Sequence, residues 1–231
     1  MKSIYKLLVI IALSVTIIAC NTTKKAKIED FTVSMDSLQI PIGEVEIQFE
    51  TIMGLGSLKK NNVSVSYFPK EDVVCLKYNY EYNTFHLFWN RRGRLYFINA
   101  LQKYNEDYNA RNLDKNNNKS RRKYGIMRGY LVWQMFSFTI QAHGNMNVEL
   151  GYAFKDKSPY FTVFQRTAEY LSDRSRDSNR SSPTLTMYFT RAQATELSAI
   201  FEKYVLQGET LDDYQESNIP ANETNPNKDV Y

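Results

Sequence analysis

Two stretches of the chain repeat one order of apolar positions, and that order limits what the sequence can fold into. In TFHLFWNRRGRLYFINALQKY, from Thr84 to Tyr104, Phe85, Leu87 and Trp89 fall at every second residue, the spacing of one face of a strand. Asn90 follows as an N-cap, and Phe97, Ala100, Leu101 and Tyr104 then hold the i, i+3, i+4, i+7 spacing of a helical stripe. In TLTMYFTRAQATELSAIFEKY, from Thr184 to Tyr204, Leu185, Met187 and Phe189 alternate in the same way, Thr190 stands at the cap, and Leu197, Ile200, Phe201 and Tyr204 form the stripe. Both read as strand, cap and amphipathic helix.

What precedes each stretch also corresponds. Val45, Ile47 and Phe49 alternate with Glu44, Glu46, Gln48 and Glu50; NNVSVSYF and then Val74, Leu76, Tyr78 and Tyr80 add two strands, separated by turn-forming LGSLKKNN and FPKED. Further on, GYLVWQMFSFTIQA, the alternation from Met146 to Phe154, and YFTVFQR give strands divided by HGN and KDKSP. The expected fold is therefore α+β: two antiparallel four-stranded sheet-plus-helix units, ββββα repeated and packed as one body, each helix covering the apolar face of its own sheet. The first unit is expected over residues 37–110, a polar linker over 111–123 and the second unit over 124–206. The 17 Tyr and 13 Phe suit such half-buried strand faces.

The chain opens MKSIYKLLVIIALSVTIIAC, with Lys2 and Lys6 ahead of an apolar run from Leu7 to Ile18. This is the layout of an export signal, and the run is short for a membrane span. Its ending resembles the bacterial lipobox, although Ile17 stands where Leu is usual. The resemblance implies a signal over residues 1–19, cleavage after Ala19, lipid attachment at Cys20, and a lipoprotein held to a bacterial cell membrane through acyl chains. Residues 20–36 then read as the lipidated cysteine and a flexible spacer, in which Lys24, Lys25 and Lys27 are solvated or touch headgroups. With Cys20 acylated, Cys75 has no disulfide partner and reads as a buried small residue. Residues 207–231 are acidic, with Glu209, Asp212, Asp213 and Glu216, and read as a disordered tail.

Catalytic signatures do not emerge. His86 and His143 lack the spaced Cys, His or acidic company of a metal site, no GxSxG is present, and GLG at Gly54 to Gly56 lacks the remainder of a phosphate loop. No catalytic residue, metal ligand or cofactor is therefore assigned, and the expectation is a protein that is not an enzyme. Basic groups beside aromatics are the stronger candidates: Arg91, Arg92 and Arg94 near Phe88, with Tyr188 and Arg191 at the matching positions of the second stretch. Arg121, Arg122, Lys123 and Arg128 flank Tyr124, and Arg174, Arg176 and Arg180 fall in SDRSRDSNRSS. Phe88 and Tyr188 are expected as exposed strand-face residues at a partner or homodimer contact.

Over residues 38–206 the element order is similar to the ββββα repeats of the PUR and whirly families, and that resemblance implies single-stranded nucleic-acid binding, with phosphates neutralised and bases stacked. The export signal argues for other anionic partners in the cell envelope. The expectation is thus a membrane-anchored lipoprotein acting as a non-enzymatic interaction or structural module of the envelope, in contact with an anionic component, a protein partner or a second copy. A nucleic-acid-binding module and an envelope hydrolase are the alternatives.

Overall fold

The computed structural model describes residues 29–50, 56–134, 141–168 and 181–205. Alternation fixes the strands: β1 (Ile40–Glu50), β2 (Leu58–Phe68), β3 (Val73–Tyr80), β4 (Asn83–Asn90), β5 (Gly125–Gln134), β6 (Gln141–Lys155), β7 (Ser158–Gln165) and β8 (Leu185–Phe189). Helix α1 (Arg91–Asn109) follows β4, and α2 (Arg191–Val205) follows β8. Every strand pairs antiparallel with the next, and β8 returns to β1, so the eight strands form one closed barrel.

The two separate sheet-plus-helix units expected from the sequence do not form. Residues Thr84–Phe88 of β4 pair with Gln134–Tyr130 of β5, and Gln48 and Phe49 of β1 pair with Tyr188 and Met187 of β8. The physical reason lies in the edges: each four-stranded sheet would expose two rows of unpaired N–H and C=O groups, and joining the sheets at both sides removes all of them. The helices do not cover one sheet each. They pack against one another, with α1 against β4, β5 and β6 and α2 against β1, β7 and β8.

Inward positions are apolar along every strand, among them Val45 and Ile47, Leu76, Leu87, Leu131, Val148 and Met187, all buried in one core with the helix side chains. Outward positions such as Ser64, Lys77 and Asn147 are exposed. That polarity is the reverse of a barrel whose outer face meets lipid. Among the described residues no helix is long and apolar enough to cross a membrane.

Helix α1 starts at an Asn90 cap whose side chain accepts from Gly93 N–H, and its first half, Gly93 to Leu101, is buried all round. Phe97 is its centre: the ring lies 5.4 Å from Trp89, 5.5 Å from Phe161, 6.2 Å from Phe189 and 5.3 Å from Phe201, joining β4, β7, β8 and α2 in one aromatic cluster. Helix α2 opens on a reciprocal cap, in which Thr190 N–H donates to Gln193 Oε1 and Gln193 N–H to Thr190 Oγ1. Its Ile200 sits so close to Gly43 of β1 that a Cβ there would meet the Ile200 Cδ1. Gln193 also reaches Glu46 of β1, so α2 braces the β8–β1 seam.

Two connections lie on the outer wall. Residues 29–36, expected as the end of a flexible spacer, instead lie against the barrel: Phe31, Val33 and Met35 cover Phe68, Val73, Cys75, Phe88, Tyr130 and Val132 on the outside of β2 to β5. Burying that second apolar cluster holds the strap in place. The segment expected as a linker over 111–123 crosses the wall of β6 and β7, where its 3-10 turn (Ser120–Arg122) packs on β6 at Gly151. A Cβ at Gly151 would overlap the Ser120 and Arg121 carbonyl oxygens, so only glycine admits the turn. Residues 1–28 and 206–231, which hold the expected signal, Ala19, Cys20 and the acidic tail, lie outside the described residues, as do Arg174, Arg176 and Arg180.

Candidate functional site at the β4–α1 junction

The sequence RRGR brings three arginines to the first turn of α1, where the partial positive charge of the helix end disfavours them. Their surroundings explain the placement of one. Arg94 is fully buried and donates to the Trp89 carbonyl, the Asp72 carbonyl and carboxylate and, at 3.4 Å, the Tyr204 carbonyl. Its guanidinium stands 6.0 Å from the centre of the Tyr67 ring. Burial pulls its pKa below the ordinary arginine value, and Asp72 opposes that shift. Arg94 therefore ties the β2–β3 turn to the end of β4 and to the end of α2, and it is a structural residue.

Arg91 and Arg92, half-buried, open onto a cavity of about 380 Å³ beside the same turn. Asn90 and Gly93 line it from the helix start, Glu71 and Asp72 from the β2–β3 turn, and Arg128 from β5, with Glu29 at its edge. Asp72 takes up positive φ, 48°, and holds both Arg94 and the Tyr67 hydroxyl. Glu71 accepts from the hydroxyl of Ser37, the residue after the strap, and Arg128 donates to Asp30 and Asn147. Three arginines face three carboxylates in this lining, so its formal charges balance. Such a site offers donors and acceptors side by side and does not concentrate anions.

The other arginine and the two aromatics named from sequence lie elsewhere. Arg191 is exposed at the start of α2, donates to Asn105 and stacks 4.5 Å from the centre of the Tyr108 ring. Phe88 and Tyr188, expected as exposed contact residues, are buried. Phe88 points outward from β4 but is covered by the strap, and Tyr188 is enclosed on the wall of β8, its hydroxyl donating to Glu50. Only Arg91 and Arg92 come together at the cavity, with Arg94 buried behind them; the six residues do not form one surface.

A family model described as "Uncharacterised Treponema protein" matches residues 18–208. The chain belongs to that family. It is a bacterial protein, and the matched span takes in every described strand and both helices. Comparison with curated proteins and with solved structures finds no match.

The histidines and the free cysteine occupy structural settings in this family member. Cys75 Sγ stands 3.9 Å from His86 Nδ1 beneath the strap. Burial pushes the thiol up and pushes the imidazole down to about 4, with Lys77 adding to the second effect. Both shifts favour the neutral pair and oppose the thiolate–imidazolium form that nucleophilic chemistry uses. His143 Nδ1 lies 2.9 Å from the Tyr130 hydroxyl. Among the described residues no three His, Cys, Asp or Glu side chains gather as metal ligands.

Sequence reasoning missed the strap and the Arg121–Phe164 stack. The alternating FTVFQR places Phe164 on the outward face of β7, and that was the available signal; the guanidinium lying over it comes from a connection distant in sequence.

Proposed function

We propose that the protein is a lipid-anchored component of the bacterial envelope that works by binding, with its barrel as a rigid scaffold. The observation that carries this reading is the filled interior: inward side chains of all eight strands, together with Phe97, Leu101, Leu197 and Phe201 of the helices, occupy the space in which many barrels hold a ligand. Contacts with a partner then belong to the outer surface. The Lys2–Cys20 segment supplies the anchor, with Cys20 acylated after cleavage at Ala19. Only residues 21–28 separate Cys20 from Glu29, where the described chain meets the barrel. At most ~3.6 Å per residue, that tether keeps the strap wall within about 30 Å of the bilayer surface.

The nucleic-acid reading draws no support from the aromatic residues first named for it, because base stacking needs open ring faces and Phe88 and Tyr188 are covered. The hydrolase reading lacks an activated nucleophile at Cys75.

Mass spectrometry of the mature protein from its own membranes tests the proposal. The N-terminal peptide is expected to begin at Cys20 and to carry acyl chains, and Cys20→Ser is expected to release the chain from the detergent phase. A mature N-terminus elsewhere, or a bare Cys20, overturns it.

A further inference from the structure

The cavity at the β4–α1 junction lies between the start of α1, the β2–β3 turn and the start of β5, and its lining sorts into three kinds of chemistry. Arg91 and Arg92 of α1 with Arg128 of β5 supply positive charge, and Glu71 and Asp72 of the turn with Glu29 supply negative charge. Buried Tyr96 and Met127 and half-buried Ile126 give it an apolar side. Its volume of about 380 Å³ falls at the small end of the ~300–1,000 Å³ found for small-molecule sites, which points to a small ligand and not to a polymer.

The polar groups indicate which ligand. Glu71 Oε1 accepts from the Ser37 hydroxyl, but Glu71 Oε2 is buried without a hydrogen-bond donor among the described residues. Buried carboxylate oxygens are satisfied as a rule, so this one calls for a donor from outside the chain. Arg91 and Arg92 stand in the first turn of α1, where the helix end disfavours cations, and an anion lying between them and that end offsets the repulsion. Arg92 is held over the Tyr96 ring, 5.7 Å from its centre, and Arg128 is fixed by Asp30 and Asn147, so the cationic side is pre-ordered.

We infer that this cavity binds a free α-amino acid with an apolar side chain. The ammonium donates to Glu71, the carboxylate pairs with Arg91 and Arg92, and the side chain lies on Tyr96, Ile126 and Met127. A simple anion would meet three carboxylates and leave Glu71 Oε2 unsatisfied, and a metal ion would meet three arginines. A zwitterionic lipid headgroup brings both charges but no apolar group for Tyr96 and Met127. The inference deepens the binding reading proposed above and rests on it, but does not need the anchor.

The test is calorimetric titration of the full chain in a neutral detergent with L-leucine, L-methionine and L-phenylalanine. At least one binds with a Kd below about 1 mM, and its N-acetyl form, which lacks the ammonium, and its amide, which lacks the carboxylate, each bind about tenfold or more weakly. Glu71→Gln weakens the amino acid by about tenfold and leaves the N-acetyl form unchanged; Arg91→Gln with Arg92→Gln does the same with respect to the amide. Arg191→Gln, outside the cavity, changes nothing. The analogue series needs no variant, so it decides even where a substitution impairs folding. Binding of none of the three, an analogue as tight as its parent, variants that weaken every ligand alike, or tighter binding of acetate or of phosphatidylethanolamine vesicles overturns the inference. Amino-acid binding by a chain whose Cys20 proves bare supports the site and overturns only the anchor; no binding by an acylated chain does the reverse.

Discussion

His86 shows how one side chain reports the state of the outer wall. It lies opposite Lys77 in the β3–β4 pairing and beside Cys75, and burial with the Lys77 charge pushes its pKa from 6.5 to about 4. The folded protein thus keeps the imidazole neutral over a range in which the unfolded chain protonates it. Stability from this group is full above 6.5 and is lost as pH falls toward about 4. Urea unfolding across that window should show a falling midpoint, and His86→Gln should flatten the fall; an unchanged slope would assign it to other groups. At this scale the sequence was informative about direction and silent about cover. Period-two alternation puts Phe85, Leu87 and Trp89 on one face, and these are the inward residues, while Phe88 points outward. Its burial depends on Phe31, Val33 and Met35, which no local pattern around Phe88 contains. Arg94 is similar: RRGR reads as a surface cluster, yet Asp72 and Tyr204, distant in sequence, make its third arginine an internal tie.

Among the elements, the strap is the one whose role the sequence concealed. DFTVSM carries three alternating apolar residues, too few to separate from a polar spacer without knowing that β2 to β5 leave an apolar outer patch for them. Replacing Val33 by Ser should cost about 1.5 kcal/mol of local stability. Adding Phe31→Ser should then raise the alkylation rate of Cys75 by about tenfold or more, followed by peptide mapping. Rates equal to the parent's would mean that the strap does not control access to that wall. The helices were more legible, because caps and stripes are local signals: Asn90 and Thr190 both accept from the third residue of the following helix. Their use was not legible, since a stripe shows that a helix is buried and not what buries it.

For the whole molecule, the order of strands and helices is local information, but strand pairing is not. Nothing in the alternation of β4 or β5 says that they join, and the β8–β1 seam rests on two paired positions with α2 laid across it. Closure makes the two halves interdependent: Phe97 of the first packs on Phe161, Phe189 and Phe201 of the second, and each half alone would expose both sheet edges. It also fills the interior and leaves the outer surface for contacts, part of which the strap covers. The most direct test is equilibrium unfolding of the intact chain beside its separate halves, residues 29–123 and 124–205. A single closed barrel predicts one cooperative transition for the intact chain, seen alike by tryptophan fluorescence and circular dichroism, and no cooperative transition for either half. Two independent transitions, or a half that folds alone with native-like strand content, would contradict it.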